Sequence, residues 1–407
     1  MRLLPYIAAV VLGVSFVALK VYKETKMGRS VYAPLSDLKT LLNTPIVGTI
    51  EDSYSYLLSA YGYYKNFVPV IDWERDRYFV SFRFLSSIVF VPFMWIFKGY
   101  FPIAYILFFS LAVMLSYAHL LQTLKIHPII STITLVALSP LTFYHIPRLM
   151  LEPPAVLFLI WFLISFLKRR YILSFVFLFI AGIIRAEISV LCLIFGIYAF
   201  AKTRKLSFSL SVIPVILQVS INYFLGDQSN FYFWTYRGYL ENFKYNEYSS
   251  DNVKACINKK LGFVPEKPMI YTHPYLRVST ECWKEVVSSE MDFKKGFGYA
   301  FKQILKNAFD VVFFPVSKFS SFFKWPILSF YLFYGILVFI SVFGFWFWGS
   351  RLLIVFYAIL ITIYSLYNPF GLFDSSRFKQ MLIPFEVVFI SSLLSIHRFQ
   401  VLKPRQF

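Results

Sequence analysis

The stretch FPIAYILFFSLAVMLSYAHLL, Phe101–Leu121, contains no Asp, Glu, Lys or Arg from end to end. As a helix rising 1.5 Å per residue, such a run covers about 30 Å, the thickness of a hydrocarbon core. Leu206–Leu225 and Pro326–Trp348 are uncharged in the same way. Across all 407 residues 58% are hydrophobic and 15% charged, whereas a soluble chain carries about a quarter charged residues. The sequence therefore predicts an all-α polytopic membrane protein. Its transmembrane helices number about ten, joined by interfacial helices and one extracytoplasmic loop region.

Forty Lys and Arg face 21 Asp and Glu, a formal net charge of +19. The basic residues fall in short clusters between apolar runs and form no stripe or stacking platform, so nucleic acid is excluded as a partner. Such clusters mark the cytoplasmic side of a membrane: Lys168-Arg169-Arg170, Lys202–Lys205 and the tail Arg398–Arg405. Tyr171–Ile184 and Ile188–Ala201 then form a hairpin whose tip, Arg185-Ala186-Glu187, lies outside. Working back, Glu152 is extracytoplasmic, Ile129–Ile146 leads out to it and Phe101–Leu121 leads in. Phe84–Phe97 has the length of a re-entrant or interfacial segment, which leaves the preceding loop outside. Met1–Leu19 lacks an Ala-x-Ala cleavage pattern and reads as an uncleaved anchor. Lys20, Lys23, Lys26 and Arg29 sit awkwardly after it, although long loops obey the charge rule poorly.

Three regions result: 1–225, an N-terminal membrane domain with its first extracytoplasmic loop at about 20–83; 226–325, an extracytoplasmic loop region; and 326–407, C-terminal membrane helices with a short cytoplasmic tail. Phe309–Lys324 reads as an amphipathic segment on the outer surface. Cys256 and Cys282 share the outer region and could pair in an oxidising compartment, while Cys192 lies within an apolar run. No Gly-rich phosphate loop or zinc-type Cys/His spacing occurs, so nucleotide-dependent transport finds no support.

In this topology the notable polar residues come to one side of the membrane. They are Glu51 and Asp52; His145, Arg148 and Glu152; Arg185 and Glu187; and Asp374, Arg377 and Lys379. Acids can activate a hydroxyl or hold a divalent metal, and arginines can grip a phosphate with two hydrogen bonds. Each also has a plainer reading. Glu51-Asp52 can cap the helix beginning near Ser53, and Glu152 can serve the positive end of its own helix. The arginines can snorkel to the interface, and His145 can be a satisfied polar residue. Glu386, inside the last apolar run, marks a buried polar contact or tilts its helix.

The order of these features resembles the GT-C superfamily of integral membrane glycosyltransferases, which use polyprenyl-phosphate-linked sugar donors. Glu51-Asp52-Ser53-Tyr54 matches the acidic motif of the first outer loop. Ser139-Pro140-Leu141 followed by Leu149-Met150-Leu151-Glu152-Pro153 matches the acid at the outer start of a helix. Ala181-Gly182-Ile183-Ile184-Arg185 matches the basic residue after a short span, and Ser376-Arg377-Phe378 the late loop before a Pro-containing helix. The chain has Glu-Asp where some members have Asp-Asp or Asp-x-Asp. The resemblance implies Asp52 as catalytic base, supported by Glu51, with Glu152 as a second catalytic acid. Arg185 and Arg377 would contact the donor phosphate and steady the leaving group, with Arg148, Tyr54 and His145 as further substrate-binding residues. A divalent metal, if used, would take Glu51 and Asp52 as ligands. The implied partners are a polyprenyl-phosphate sugar donor, a glycan, lipid or protein acceptor, and membrane lipids. The implied place is a prokaryotic plasma (inner) membrane with the active site outside. The alternatives are a secondary transporter or flippase for lipid-linked sugars, which would show related halves and broken helices, and a non-catalytic subunit of a glycan assembly complex.

Overall fold

The computed structural model describes residues 1–49, 51–67, 85–143, 146–217, 255–262, 281–282, 285, 308, 325–348, 350–366 and 372–394. Among these residues the regular structure is helical, with one isolated parallel bridge between Ser30 and Ile46. Helix α1 (Leu4–Lys26) opens with a proline in its first turn and ends before Gly28, whose φ of +79° closes it. A short α2 (Leu38–Asn43) is capped by the Asp37 carboxylate on Thr40 N–H. Next comes α3 (Glu51–Asn66), which begins at the acidic pair.

The following apolar stretch, Ser86–Thr123, is helical over 38 residues but is not one rod. A 3-10 turn (Leu85–Phe90) leads into α4 (Val91–Phe97), Lys98 takes φ +47°, and α5 (Phe101–Thr123) follows. The Phe93 ring lies 5.2 Å from Tyr105 and 5.8 Å from Phe109, and Phe90 stacks on Tyr105 at 4.4 Å between centroids. Residues this far apart on a straight helix would be separated by about 18–24 Å. Hence α4 folds back along α5 as a helical hairpin.

Helices α6 (Pro128–Phe143), α7 (Glu152–Leu167), α8 (Tyr171–Ile184) and α9 (Ala186–Thr203) complete the first group. The later ones are α10 (Trp325–Trp348), α11 (Arg351–Leu366) and α12 (Leu372–Leu394). Helix α7 stands at the centre, packed against α5, α8 and α12, with Val156, Leu159, Ile160, Phe162 and Leu163 fully buried. It starts at Glu152. Pro153 and Pro154 suit a first turn, whose N–H groups lack helical partners, and Glu152 meets its positive end. Leu206–Val212, expected to begin a span, winds as a 3-10 helix. The Ser209 hydroxyl bonds Leu206 C=O, and Pro214 lacks the N–H that an α-helical turn would use there.

Outward faces of these helices are aliphatic and aromatic: Ile7 and Val11 on α1, Ile133 and Val136 on α6, Phe339 and Phe343 on α10. In water such faces would drive association; in a bilayer they are solvated. Among the described residues three helical stretches, Leu4–Lys26, Ser86–Thr123 and Ala186–Thr203, are long and apolar enough to cross a membrane. Among the described residues the protein is built of helices, with the apolar helices of a membrane protein.

The turn before α3 depends on Gly48. Its φ is +81°, and a Cβ there would strike the Ile106 Cδ1 of α5. Gly48→Ala is expected to destabilise the protein by about 1–3 kcal/mol through strain and overpacking, read as a lower melting temperature in detergent.

Candidate functional site

A ladder of buried polar contacts ties three segments together at one end of the bundle. Glu24, on the last turns of α1, is buried and pairs with Lys20 at 2.7 Å and Arg29 at 3.5 Å. Its other bond comes from the N–H of Gly48 at 2.7 Å, while Arg29 donates to Thr49 C=O at 2.5 Å. The Gly48 carbonyl then accepts from Leu149 N–H at 2.9 Å, in the segment that leads into α7. Two further contacts hold that segment. The Tyr105 hydroxyl donates to Met150 C=O at 2.6 Å, and the Ser53 hydroxyl lies 3.5 Å from the Met150 sulfur. Ser53 directly follows Asp52 on α3, so the first turn of α3 stands beside the entry to α7. The contacts also explain why α1 runs on through Lys20 and Lys23. An acid four residues after a lysine supports a helix and neutralises it, and Glu24 is that acid.

Next to this ladder sits a buried ionic cluster. Arg185 is the one residue between α8 and α9, with extended backbone at φ −134° and ψ 119°. Its Nη1 donates to Glu152 at 2.5 Å and its Nε to Glu187 at 2.6 Å. The Tyr364 hydroxyl, in the last turn of α11, donates to Glu187 at 3.3 Å. Glu152 and Arg185 are each only 2–4% exposed. One guanidinium thus bridges two carboxylates, and each carboxylate begins a helix whose dipole favours it. Buried Arg148 belongs to the same end of the bundle, and its charge is felt by Lys20.

The expected site residues fall into two sets. Arg148, Glu152, Arg185 and Glu187 come from separate segments and gather at this end. Glu51, Asp52 and Tyr54 lie on the first turn of α3, but their side chains are outside the described residues. His145 lies outside them too, as do the side chains of Asp374 and Arg377 on α12. Among the described residues no three of His, Cys, Asp and Glu gather to hold a metal ion; the side chains of the expected ligands Glu51 and Asp52 lie outside them. Reading the sequence did not single out Glu24 or the tyrosines Tyr105 and Tyr364. Glu24 was detectable as a carboxylate at helical spacing from Lys20 in an apolar run; nothing local distinguishes the tyrosines.

A second cluster lies deeper. Glu386 accepts from Lys379 at 2.5 Å, Tyr334 at 2.7 Å and Tyr357 at 2.7 Å, joining α12 to α10 and α11. All four are buried, Lys379 and Glu386 completely. Seven residues apart, the ion pair spans two turns of one helix face. Farther along the chain Cys256 and Cys282 form a disulfide with Cα atoms 5.7 Å apart. Beside it Lys260 pairs with Glu285 at 2.5 Å, a hydrogen bond that raises the Lys260 pKa.

Compared with protein-family models, with curated proteins and with solved structures, the chain matches none.

Removing one partner of a buried ion pair leaves the other charged and unsolvated, at a cost of about 3–5 kcal/mol. Arg185→Ala strands two carboxylates, so it is expected to lower the melting temperature more than Glu152→Gln or Glu187→Gln. Lys379→Met is expected to destabilise by a similar amount, and adding Glu386→Leu to recover most of it; melting of the four proteins and the double variant in one detergent checks both statements.

Proposed function

We propose that the chain is an integral membrane glycosyltransferase. It moves a sugar from a polyprenyl-phosphate donor to an acceptor hydroxyl at the extracytoplasmic face of a prokaryotic plasma membrane, through about ten spans with both termini inside. The observation that carries this reading is the meeting of the α6–α7 entry, the α8–α9 link and the first turn of α3 at one end of the bundle. Acids and cations from distant segments assemble there beside the hydrocarbon, where a lipid-borne phosphate would arrive. The basic runs Lys168–Arg170 and Lys202–Lys205 stand at the other ends of α7, α8 and α9, as a one-sided active centre requires.

In the proposed reaction the acceptor oxygen attacks the anomeric carbon while its proton passes to the Asp52 carboxylate, with Glu51 in support. The bond from the anomeric carbon to the phosphate oxygen breaks, and polyprenyl phosphate leaves with both electrons. Arg148 and Arg377 stabilise the charge gathering on that phosphate. Arg185 is engaged by Glu152 and Glu187, so a phosphate reaching it competes with those carboxylates. A displaced Glu152 would then be free to orient the acceptor. Tyr54 and His145 complete the binding surface.

One observation favours a second reading, a flippase or secondary transporter for lipid-linked sugars. Glu386, with Lys379 reaching along the helix to it, lies about 13 Å along α12 from the level of Arg377, and ionisable residues deep in a bilayer mark transport paths. A non-catalytic subunit is the third reading, and it would keep its role through both substitutions below.

The test is transfer of radiolabelled sugar from a panel of polyprenyl-phosphate donors in liposomes. Asp52→Asn is expected to lower turnover about 10²–10⁴-fold with donor binding kept, and Arg377→Ala to lower turnover and weaken donor binding. Chelation with EDTA reports whether a metal is needed. Movement of labelled lipid between leaflets, without turnover of any donor, would replace the enzyme with the transporter.

A further inference from the structure

At the end of the bundle away from the ionic cluster, a cavity of about 430 Å³ opens between the start of α8, the end of α9 and the 3-10 turn that follows. Its polar wall carries Arg169, Arg170 and Lys205. The segments that build this wall, 166–176 and 200–212, contain no Asp or Glu. Among the described residues none of these three cations has a carboxylate partner; the nearby Lys168 contacts His119 at 3.3 Å. The other wall is apolar, made by Ile172, Leu173, Val176 and Phe208. Ile172, Leu173 and Val176 are substantially exposed, and in a bilayer that face of α8 would meet the acyl chains. Helix α8 also opens into this cavity with no side chain capping its first turn, which leaves its N–H groups for an outside acceptor.

Three cations held together in one concavity repel one another until an anion enters. A soluble anion would leave the apolar wall uncovered; an acidic peptide would meet three large aliphatic side chains already bathed in lipid. A ligand with a phosphodiester at one end and acyl chains at the other satisfies both walls at once. We propose that this cavity is a binding site for an anionic glycerophospholipid of the cytoplasmic leaflet. The phosphodiester lies among Arg169, Arg170 and Lys205, and an acyl chain lies along Ile172, Leu173 and Val176. Basic pockets between helices on that side of a membrane hold acidic headgroups in this way. The site is separate from the proposed active centre and stands whether or not the chain transfers sugars.

The experiment is native mass spectrometry of the full-length protein in neutral detergent, titrated with phosphatidylglycerol or with phosphatidylcholine of the same acyl chains. The protein is expected to retain phosphatidylglycerol preferentially. The triple variant Arg169→Gln/Arg170→Gln/Lys205→Gln should weaken that retention about tenfold or more, each cation near an anionic surface contributing about 1 kcal/mol. The comparison variant Lys23→Gln/Lys26→Gln, changed at the end of α1, should retain the lipid as the parent does. All three proteins are first matched for melting in neutral detergent; should the triple variant melt early, Lys205→Gln alone replaces it, with a proportionately smaller loss. Equal retention of both lipids by the parent, unchanged retention in the cavity variant, or equal loss in the comparison variant would each overturn the site. So would displacement of the lipid by millimolar inorganic phosphate, which would make the cavity a site for a soluble anion.

Discussion

A carboxylate taken out of water needs a cation, and in this protein the demand is met by residues from different helices. Glu152 at the head of α7 takes its cation from Arg185, and Arg185 occupies the single residue between α8 and α9. That one contact fixes where the α8–α9 hairpin meets the central helix. Through Glu187 and Tyr364 it also fixes the end of α11. The ladder from Glu24 through Gly48 to Leu149 then sets α1 and the first loop against the same point. In a bilayer, where apolar packing between helices competes with equally apolar lipid, such polar contacts carry much of the specificity of assembly.

The division between a polar interior and an apolar exterior follows from this. Ionic residues turn inward and pair, while Ile133, Phe339 and their neighbours face outward. The two buried clusters differ in kind. That around Arg185 sits at helix ends, where backbone dipoles and adjoining loops share the charge. That around Glu386 sits along helix flanks, where Lys379 and two tyrosine hydroxyls meet the carboxylate. Chemistry on an arriving substrate fits the first setting better, because the loops there join the bundle to its surroundings.

Much of the helical plan was legible in the sequence because an uncharged run of spanning length has few alternatives. Phe101–Leu121 and Tyr171–Ile184 appear at or close to those bounds. Boundaries failed where a side chain or an absent N–H outweighed hydrophobicity. Leu149 and Met150 are drawn out of α7 by Gly48 and Tyr105, and Leu206–Val212 tightens into a 3-10 turn before Pro214. For the candidate site, the order of Glu152, Arg185 and Glu187 along the chain pointed to one side of the membrane, and pairing was beyond reach. Glu24 stayed hidden because its partners Lys20 and Arg29 read as a topological misfit. They become intelligible once Gly48 is seen to donate to the same carboxylate.

The ionic cluster also imposes a timetable on synthesis. Arg185 follows Glu152 by 33 residues, and Tyr364 follows Glu187 by 177. At a ribosomal pace of about 5–20 residues per second, Glu152 waits roughly two to seven seconds for its guanidinium, and Glu187 roughly nine to thirty-five seconds for its hydroxyl. Helices α7, α8 and α9 therefore have reason to leave the insertion machinery as one bundle, with the early acid kept near water until its partner emerges. The last helices close over a cluster already neutralised in part.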